Sequence, residues 1–154
     1  MAKDDGHKNK KIEQALNRML NGSVPVISTD KLAESLTASS NWVLLDSREL
    51  AEFKISHLPD AKWIGHKDFS ESRVAEIAKD TNVLVYCSIG VRSEQIAEKL
   101  ISLGYSNVFN LYGGIFTWAN QGRLLMDQYQ QNTKVVHGYD KNWSKLVNNS
   151  FCDE

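Results

Sequence analysis

Only two cysteines, Cys87 and Cys152, stand among the 154 residues. That is far too few for a disulfide scaffold. No stretch approaches the roughly 18 apolar residues of a membrane span. No apolar run follows the start, so a signal-peptide pattern is missing, although one removed from a longer precursor would leave the same sequence. Neither sign of charge dominates: 18 Lys and Arg face 19 Asp and Glu, a formal charge of -1. This balance argues against a large basic surface for nucleic acid or anionic lipid. His66 and His137 share no metal-ligand spacing with the cysteines, and no metal site is expected. No internal repeat is visible.

What is there suits one domain with a proper core: 42% of the residues are hydrophobic and 24% charged. Residues 1–8 are polar, and the lysines of HKNKK (His7 to Lys11) read as a solvated arm. Ile12, Ala15, Leu16, Met19 and Leu20 recur at helical spacing until Asn21-Gly22, predicting a packing helix. Short strands are expected over 24–27, 42–46, 61–65, 83–86 and 107–111. Helices are expected from Thr29 to Thr37, Leu50 to Lys54, Ser70 to Lys79, 93–103 and Ile115 to Asn120. His57-Leu58-Pro59-Asp60 reads as a turn, and Gly104 as a left-handed helix end. Strands alternating with helices predict an α/β fold, an open parallel sheet flanked by helices. The division expected is an arm and helix over 1–24, a main domain over 25–125 and a polar extension over 126–154, with a closing helix near Trp143 and Leu146.

The stretch LVYCSIGVRSEQIAEKL, residues 84–100, carries the chemistry. Cys87 ends an apolar strand, and in open α/β sheets ligands gather at the carboxyl ends of strands. With a helix starting near Arg92 or Ser93, the loop N–H groups and the helix N-terminus both face the sulfur. That arrangement binds anions and favours a thiolate. Gly90 lets the chain curl, Arg92 adds a forked cation, and Ser93 is placed to cap the helix. A lone cysteine in an apolar run is more often an inert core residue; the glycine loop, the arginine and the following helix reverse that balance.

This segment resembles the active-site loop of rhodanese-like sulfurtransferases. LLDSRELAEFKISHLPDAKWI (residues 44–64) is similar to the family's Asp-x-Arg, Glu-Phe and His-Leu-Pro-x-Ala signature. LISLGYSNVFNLYGGIFTW (residues 100–118) looks like its glycine-ended helix, strand and Gly-Gly-Ile-x-x-Trp turn. The resemblance covers about residues 25–125 and implies a rhodanese-like open parallel sheet. It implies that Cys87 takes a sulfane sulfur from thiosulfate or a persulfide, carries it as a persulfide, and gives it to a thiol, cyanide or a protein acceptor. The N–H groups of Ser88, Ile89, Gly90, Val91 and Arg92 would stabilise the persulfide anion, with Arg92 at the rim orienting an anionic substrate. No cofactor is implied. Cysteine phosphatases, some on this same fold, resemble Cys-x5-Arg; the Cys-x4-Arg here is one residue shorter and suits a sulfur atom better than a phosphoryl group. Some thiosulfate-using relatives place basic residues directly after the nucleophile. Ser88 and Ile89 stand there in this chain, so a persulfide donor is as plausible as thiosulfate. The alternative to an enzyme is a sulfur-relay or sensing module that docks a protein partner and acts weakly on small donors.

Asp46 and Arg48 follow a buried strand, where charges need partners, and are expected to support the loop or fix turns, with Glu52 pairing Arg48. His57 and Trp118 read as structural, and Gly113-Gly114 as a tight turn near the active face. Tyr139 and Trp143 are expected to dock over the domain or to cover the pocket. Cys152 is expected to be uninvolved. A reactive thiol suits a reducing cytoplasm, with a periplasm as the alternative.

Overall fold

The computed structural model describes residues 5–38 and 41–151; Cys152 lies outside them. Five strands form a parallel sheet: β1 (Val26–Ser28), β2 (Trp42–Asp46), β3 (Lys62–Trp63), β4 (Asn82–Tyr86) and β5 (Asn107–Tyr112). Their spatial order is β1-β5-β4-β2-β3. This is the open parallel α/β sheet expected from the alternating strand and helix patterns. The central β4 pairs with β2 from Trp42↔Asn82 to Asp46↔Tyr86, and with β5 from Asn82↔Asn107 to Val85↔Asn110. Cys87 therefore emerges at the carboxyl edge of the middle strand, flanked by the ends of its two neighbours.

Side-chain alternation along the strands divides the core in two. Leu44, Leu84, Tyr86 and Leu111 face one layer, with Leu32 of α2 (Thr29–Ala38) and Ile115, Phe116 and Trp118 of α5 (Gly114–Asn120). Leu45, Val83, Val85 and Val108 face the other, against Ile96, Ala97 and Leu100 of α4 (Val91–Ser102). The short α3 (Leu50–Ile55) follows β2, and its start is held by reciprocal bonds between Glu49 and Glu52.

The first layer extends beyond the sheet and its own helices. Ile12, Ala15 and Leu16 on one face of α1 (Asp5–Met19) are buried in it, together with Val136 and Val147 of the C-terminal segment. That segment forms a hairpin of β6 (Leu125–Met126) and β7 (Asn132–Thr133). A parallel pair follows, β8 (Val136–His137) with β9 (Ser150–Phe151), and a single 3-10 turn spans Trp143–Leu146. The loop after α1 is pinned to α4, because the buried Glu94 carboxylate accepts the N–H groups of Asn21 and Gly22 at 3.0 Å each.

Two expectations are corrected. The helix anticipated over Ser70–Lys79 is a 3-10 turn at Glu71–Arg73 followed by non-helical turns. Val74 is buried, Ile77 is half-buried and Ala78 is exposed, so no apolar stripe forms. The Tyr105 hydroxyl also takes the Val74 carbonyl, the acceptor a continuing helix would use. The helix after the cysteine begins at Val91 with Gly90 as its N-cap, so Ser93 lies inside the first turn and does not cap it.

Candidate active site

Cys87 is 2% exposed where β4 ends. The chain turns through Ser88 and Ile89 to Gly90, whose φ of 137° is open only to glycine. This turn brings the Gly90 N–H to 3.2 Å from Sγ. The first turn of α4 follows at once, and its leading N–H groups have no acceptor within the helix. Their positive end lies beside the sulfur.

The loop carbonyls point the other way because a second helix takes them. Ile115 N–H donates to Cys87 O and Phe116 N–H to Ser88 O, both at 3.0 Å, and Gly113 N–H donates to Ile89 O at 3.0 Å. With its carbonyls held by the start of α5, the loop keeps the Gly90 N–H on the sulfur side. The strand end is fixed from the opposite flank, where Ser47 donates both its N–H and its hydroxyl to Tyr86 O at 2.9 Å.

Ser93 and Asn110 complete the cradle, both fully buried. Asn110 Nδ2 donates to Gly90 O at 2.9 Å, which turns Oδ1 towards the Ser93 hydroxyl at 2.6 Å. The same hydroxyl is 3.4 Å from Cys87 Sγ. One O–H therefore faces two acceptors. It serves Asn110 when the sulfur is a thiol and can swing to Sγ when the sulfur is an anion. Ser93→Ala should cost about 1–3 kcal/mol in a urea titration, because buried Asn110 Oδ1 loses its donor.

Arg92 points to the same face. Its Nη1 and Nη2 donate to the two Glu52 carboxylate oxygens at 2.8 and 3.0 Å, and Nη2 also donates to Ser88 Oγ at 2.9 Å. The Tyr139 ring lies over its guanidinium, 4.7 Å from centroid to Cζ. Glu52 therefore pairs with Arg92 and not with Arg48 as expected, because Arg48 already has a partner. Burial alone would lower the Arg92 pKa, but the Glu52 bonds and the neighbouring Cys87 sulfur raise it. Burial alone would raise the Glu52 carboxyl, yet its bonds to Arg92 and the Arg92 charge hold it below its ordinary 4.5. A depressed carboxylate stabilises the fold fully above its unfolded value and loses that contribution as pH falls through the folded one. Urea midpoints should accordingly stay level from neutrality to about pH 5 and fall below it, and Glu52→Gln should flatten part of that fall.

Asp46 and Arg48 form a fully buried pair at 2.6 Å. Arg48 also donates through its backbone N–H to Asp46 Oδ1 at 2.9 Å, and through Nη2 to Ser56 O at 2.7 Å. They brace the turn that carries Ser47, one step behind the loop. His57 stacks on Phe53 at 3.9 Å, and its Nδ1 donates to Phe53 O at 2.9 Å, a structural arrangement. Trp118 is in the core.

Above the sulfur lies a cavity of about 170 Å³. Cys87, Ser88, Ile89, Val91 and Arg92 form one side, and Met19 of α1, Tyr139 and Trp143 form the other. The two aromatic residues of the C-terminal extension thus cover the pocket. Sequence reasoning missed Ser47 and Asn110 as site residues. A polar Asn inside the apolar run Val108-Phe109-Asn110-Leu111 was the available signal for the second. Among the described residues, no group of three or more His, Cys, Asp or Glu is placed to hold a metal ion.

The rhodanese-like domain family matches residues 28–121, more than half of the chain. The chain belongs to the rhodanese-like family. It is 36% identical over 96 residues to a sulfurtransferase of Allochromatium vinosum, covering 62% of this chain and 89% of that protein. It is 29% identical over 104 residues to the probable adenylyltransferase/sulfurtransferase MoeZ of Mycobacterium tuberculosis, covering 67% of this chain but only 26% of that larger protein. Among solved structures, a Bacillus halodurans protein superposes with a TM-score of 0.68 at 18% identity, covering 90% of this chain and 98% of that one. A rhodanese-like domain protein of Staphylococcus aureus superposes with a TM-score of 0.60 at 27% identity, covering 68% and 98%. By this kinship the rhodanese-like chain is a sulfurtransferase at the level of its family.

Proposed function

We propose that the chain moves a sulfane sulfur from a small donor to a thiophilic acceptor through a persulfide on Cys87. The observation that carries this reading is the Gly90 N–H at 3.2 Å from a sulfur that lines an open-mouthed cavity beside the start of α4. In the first half-reaction the Cys87 thiolate attacks the outer sulfur of a donor R–S–SH. The Cys87 S–S bond forms, the donor S–S bond breaks, and its electron pair leaves on R–S⁻. In the second, an acceptor thiolate or cyanide takes the outer sulfur and returns the Cys87 thiolate. No net oxidation occurs. The loop N–H groups supply fixed dipoles for the anion in each state, and Ser93 adds a donor that can turn to it.

The fourfold convergence of Gly90, Ser93, Asn110 and the α5 start on one short loop favours an active site over an inert core cysteine. A relay to a protein thiol uses the same two steps with a larger acceptor. The test is intact mass after brief exposure to thiosulfate and, separately, to glutathione persulfide. The expected result is a gain of one sulfur atom that cyanide removes as thiocyanate. No gain from either donor overturns the reading.

A further inference from the structure

Arg92 is the cation nearest the cavity mouth, yet its charge is already answered. Glu52, itself 3% exposed at the side chain, meets both terminal nitrogens, and the Tyr139 ring lies over the guanidinium. What remains around the far side of the cavity is a thioether and aromatic surface from Met19, Tyr139 and Trp143, opposite Ile89 and Val91.

Tyr139 is held in that place at a cost. It is a non-glycine residue with φ 72°, a left-handed backbone state that an ordinary side chain adopts only with strain. Its N–H is tied to His137 Nδ1 at 3.0 Å. Directly after it, the Asp140 carboxylate accepts the Trp143 N–H at 2.8 Å and Asp140 O accepts the Ser144 N–H at 2.8 Å, which sets the turn that presents Trp143. Gly138 admits no side chain, because a Cβ there would meet Ser144 Cα at 2.8 Å. A strained tyrosine clamped on both sides is a built feature of the fold.

A sulfur donor has two ends, and they meet different surfaces here. The outer sulfur must reach Cys87 Sγ and the loop N–H groups. The leaving group must then occupy the cavity against Met19, Tyr139 and Trp143. The sulfite end of thiosulfate would bring its charge into this apolar recess without a free counter-charge, which is strongly unfavourable. An organic persulfide puts an uncharged carbon body there instead.

Resting on the sulfur-transfer reading above, we infer that Tyr139, with Glu52, masks Arg92 and so makes the site select persulfides with an uncharged organic body over thiosulfate. Tyr139 and Trp143 are then specificity-determining residues supplied by the C-terminal extension. In the chemical step R–S–SH and the Cys87 thiolate give Cys87–S–SH and R–S⁻.

The experiment measures the second-order rate of Cys87 loading by mass, with ethyl persulfide and with thiosulfate, for the wild type, Tyr139→Ala, Tyr139→Phe and Glu52→Gln. The wild type should load from ethyl persulfide at least about tenfold faster than from thiosulfate. Tyr139→Ala, which alters a partly exposed residue and leaves the core intact, should shift the ratio towards thiosulfate by about tenfold. Tyr139→Phe keeps the ring and should hold the wild-type ratio, which separates masking from a general loss of fit. Glu52→Gln should shift the ratio in the same direction as Tyr139→Ala. Loading from both donors with no wild-type preference, or with a ratio that Tyr139→Ala leaves unchanged, overturns this inference and leaves sulfur transfer standing. Loading from neither donor overturns both.

Discussion

Cys87→Ser should abolish sulfur loading and reduce turnover by about 10³-fold or more, while the protein stays folded. A serine hydroxyl is scarcely ionised near neutrality, and its attack on a sulfane sulfur would build an S–O bond in place of an S–S bond, so neither half-reaction has a productive intermediate. The fold, by contrast, scarcely notices the change. Oγ is smaller than Sγ, it still faces the Gly90 N–H and the Ser93 hydroxyl, and it leaves Ile115 and Phe116 on the loop carbonyls. Unfolding in urea should therefore shift little, and the mass of the exposed variant should show no added sulfur. If the variant retained appreciable turnover, the sulfur would be travelling through another thiol, and Cys152 is the only other cysteine in the chain. The assignment of Cys87 would then fall.

The parts of this site that could be read from sequence are those carried by contiguous patterns. Apolar runs ending in Asp46 and Cys87 mark strand ends, because a strand buried on both faces reads as an unbroken hydrophobic stretch. Gly90 and the periodic helix after it likewise announce a strand, loop and helix in order. The parts that could not be read are pairings between distant segments. Glu52 and Arg92 lie 40 positions apart, and Arg48 was the nearer and more obvious partner until it proved to be held by Asp46. Asn110 looked like an ordinary strand residue, yet its amide orients both Gly90 and Ser93. The Ser70–Lys79 region shows the opposite failure. Its spacing resembled a helix, but helices in proteins are stabilised chiefly by packing an apolar face, and only Val74 there is fully buried. The place of Met19 in the cavity wall belongs to the same class: its spacing announces a packing helix, not that the end of that helix reaches the pocket, whereas Tyr139 and Trp143, expected to dock over the domain or to cover the pocket, do line it.

Gly114→Ala should damage stability and sulfur transfer together, at about 2–5 kcal/mol of folding free energy. Gly114 has φ 58°, which an alanine adopts only with strain. A Cβ there would also stand against Ser88 O and 2.6 Å from Cys87 O, both of them backbone atoms. Backbone cannot rotate aside as a long side chain would, so either α5 backs away or the Cys87 loop shifts. Either movement breaks the bonds by which Ile115 and Phe116 hold the loop carbonyls. Once those carbonyls are free to turn, the Gly90 N–H no longer faces Sγ, and the fixed dipole it offers the sulfur is lost. The loading rate of the variant should accordingly fall by at least about tenfold even at temperatures where urea titration shows it folded. The comparison variant is Gly122→Ala. That glycine also has a positive φ, but a Cβ there meets nothing within 4 Å, so it should cost only the backbone strain and leave the loading rate unchanged. Equal losses in the two variants would mean that strain alone is at work and that the contact of α5 with the loop does not set the chemistry of Cys87.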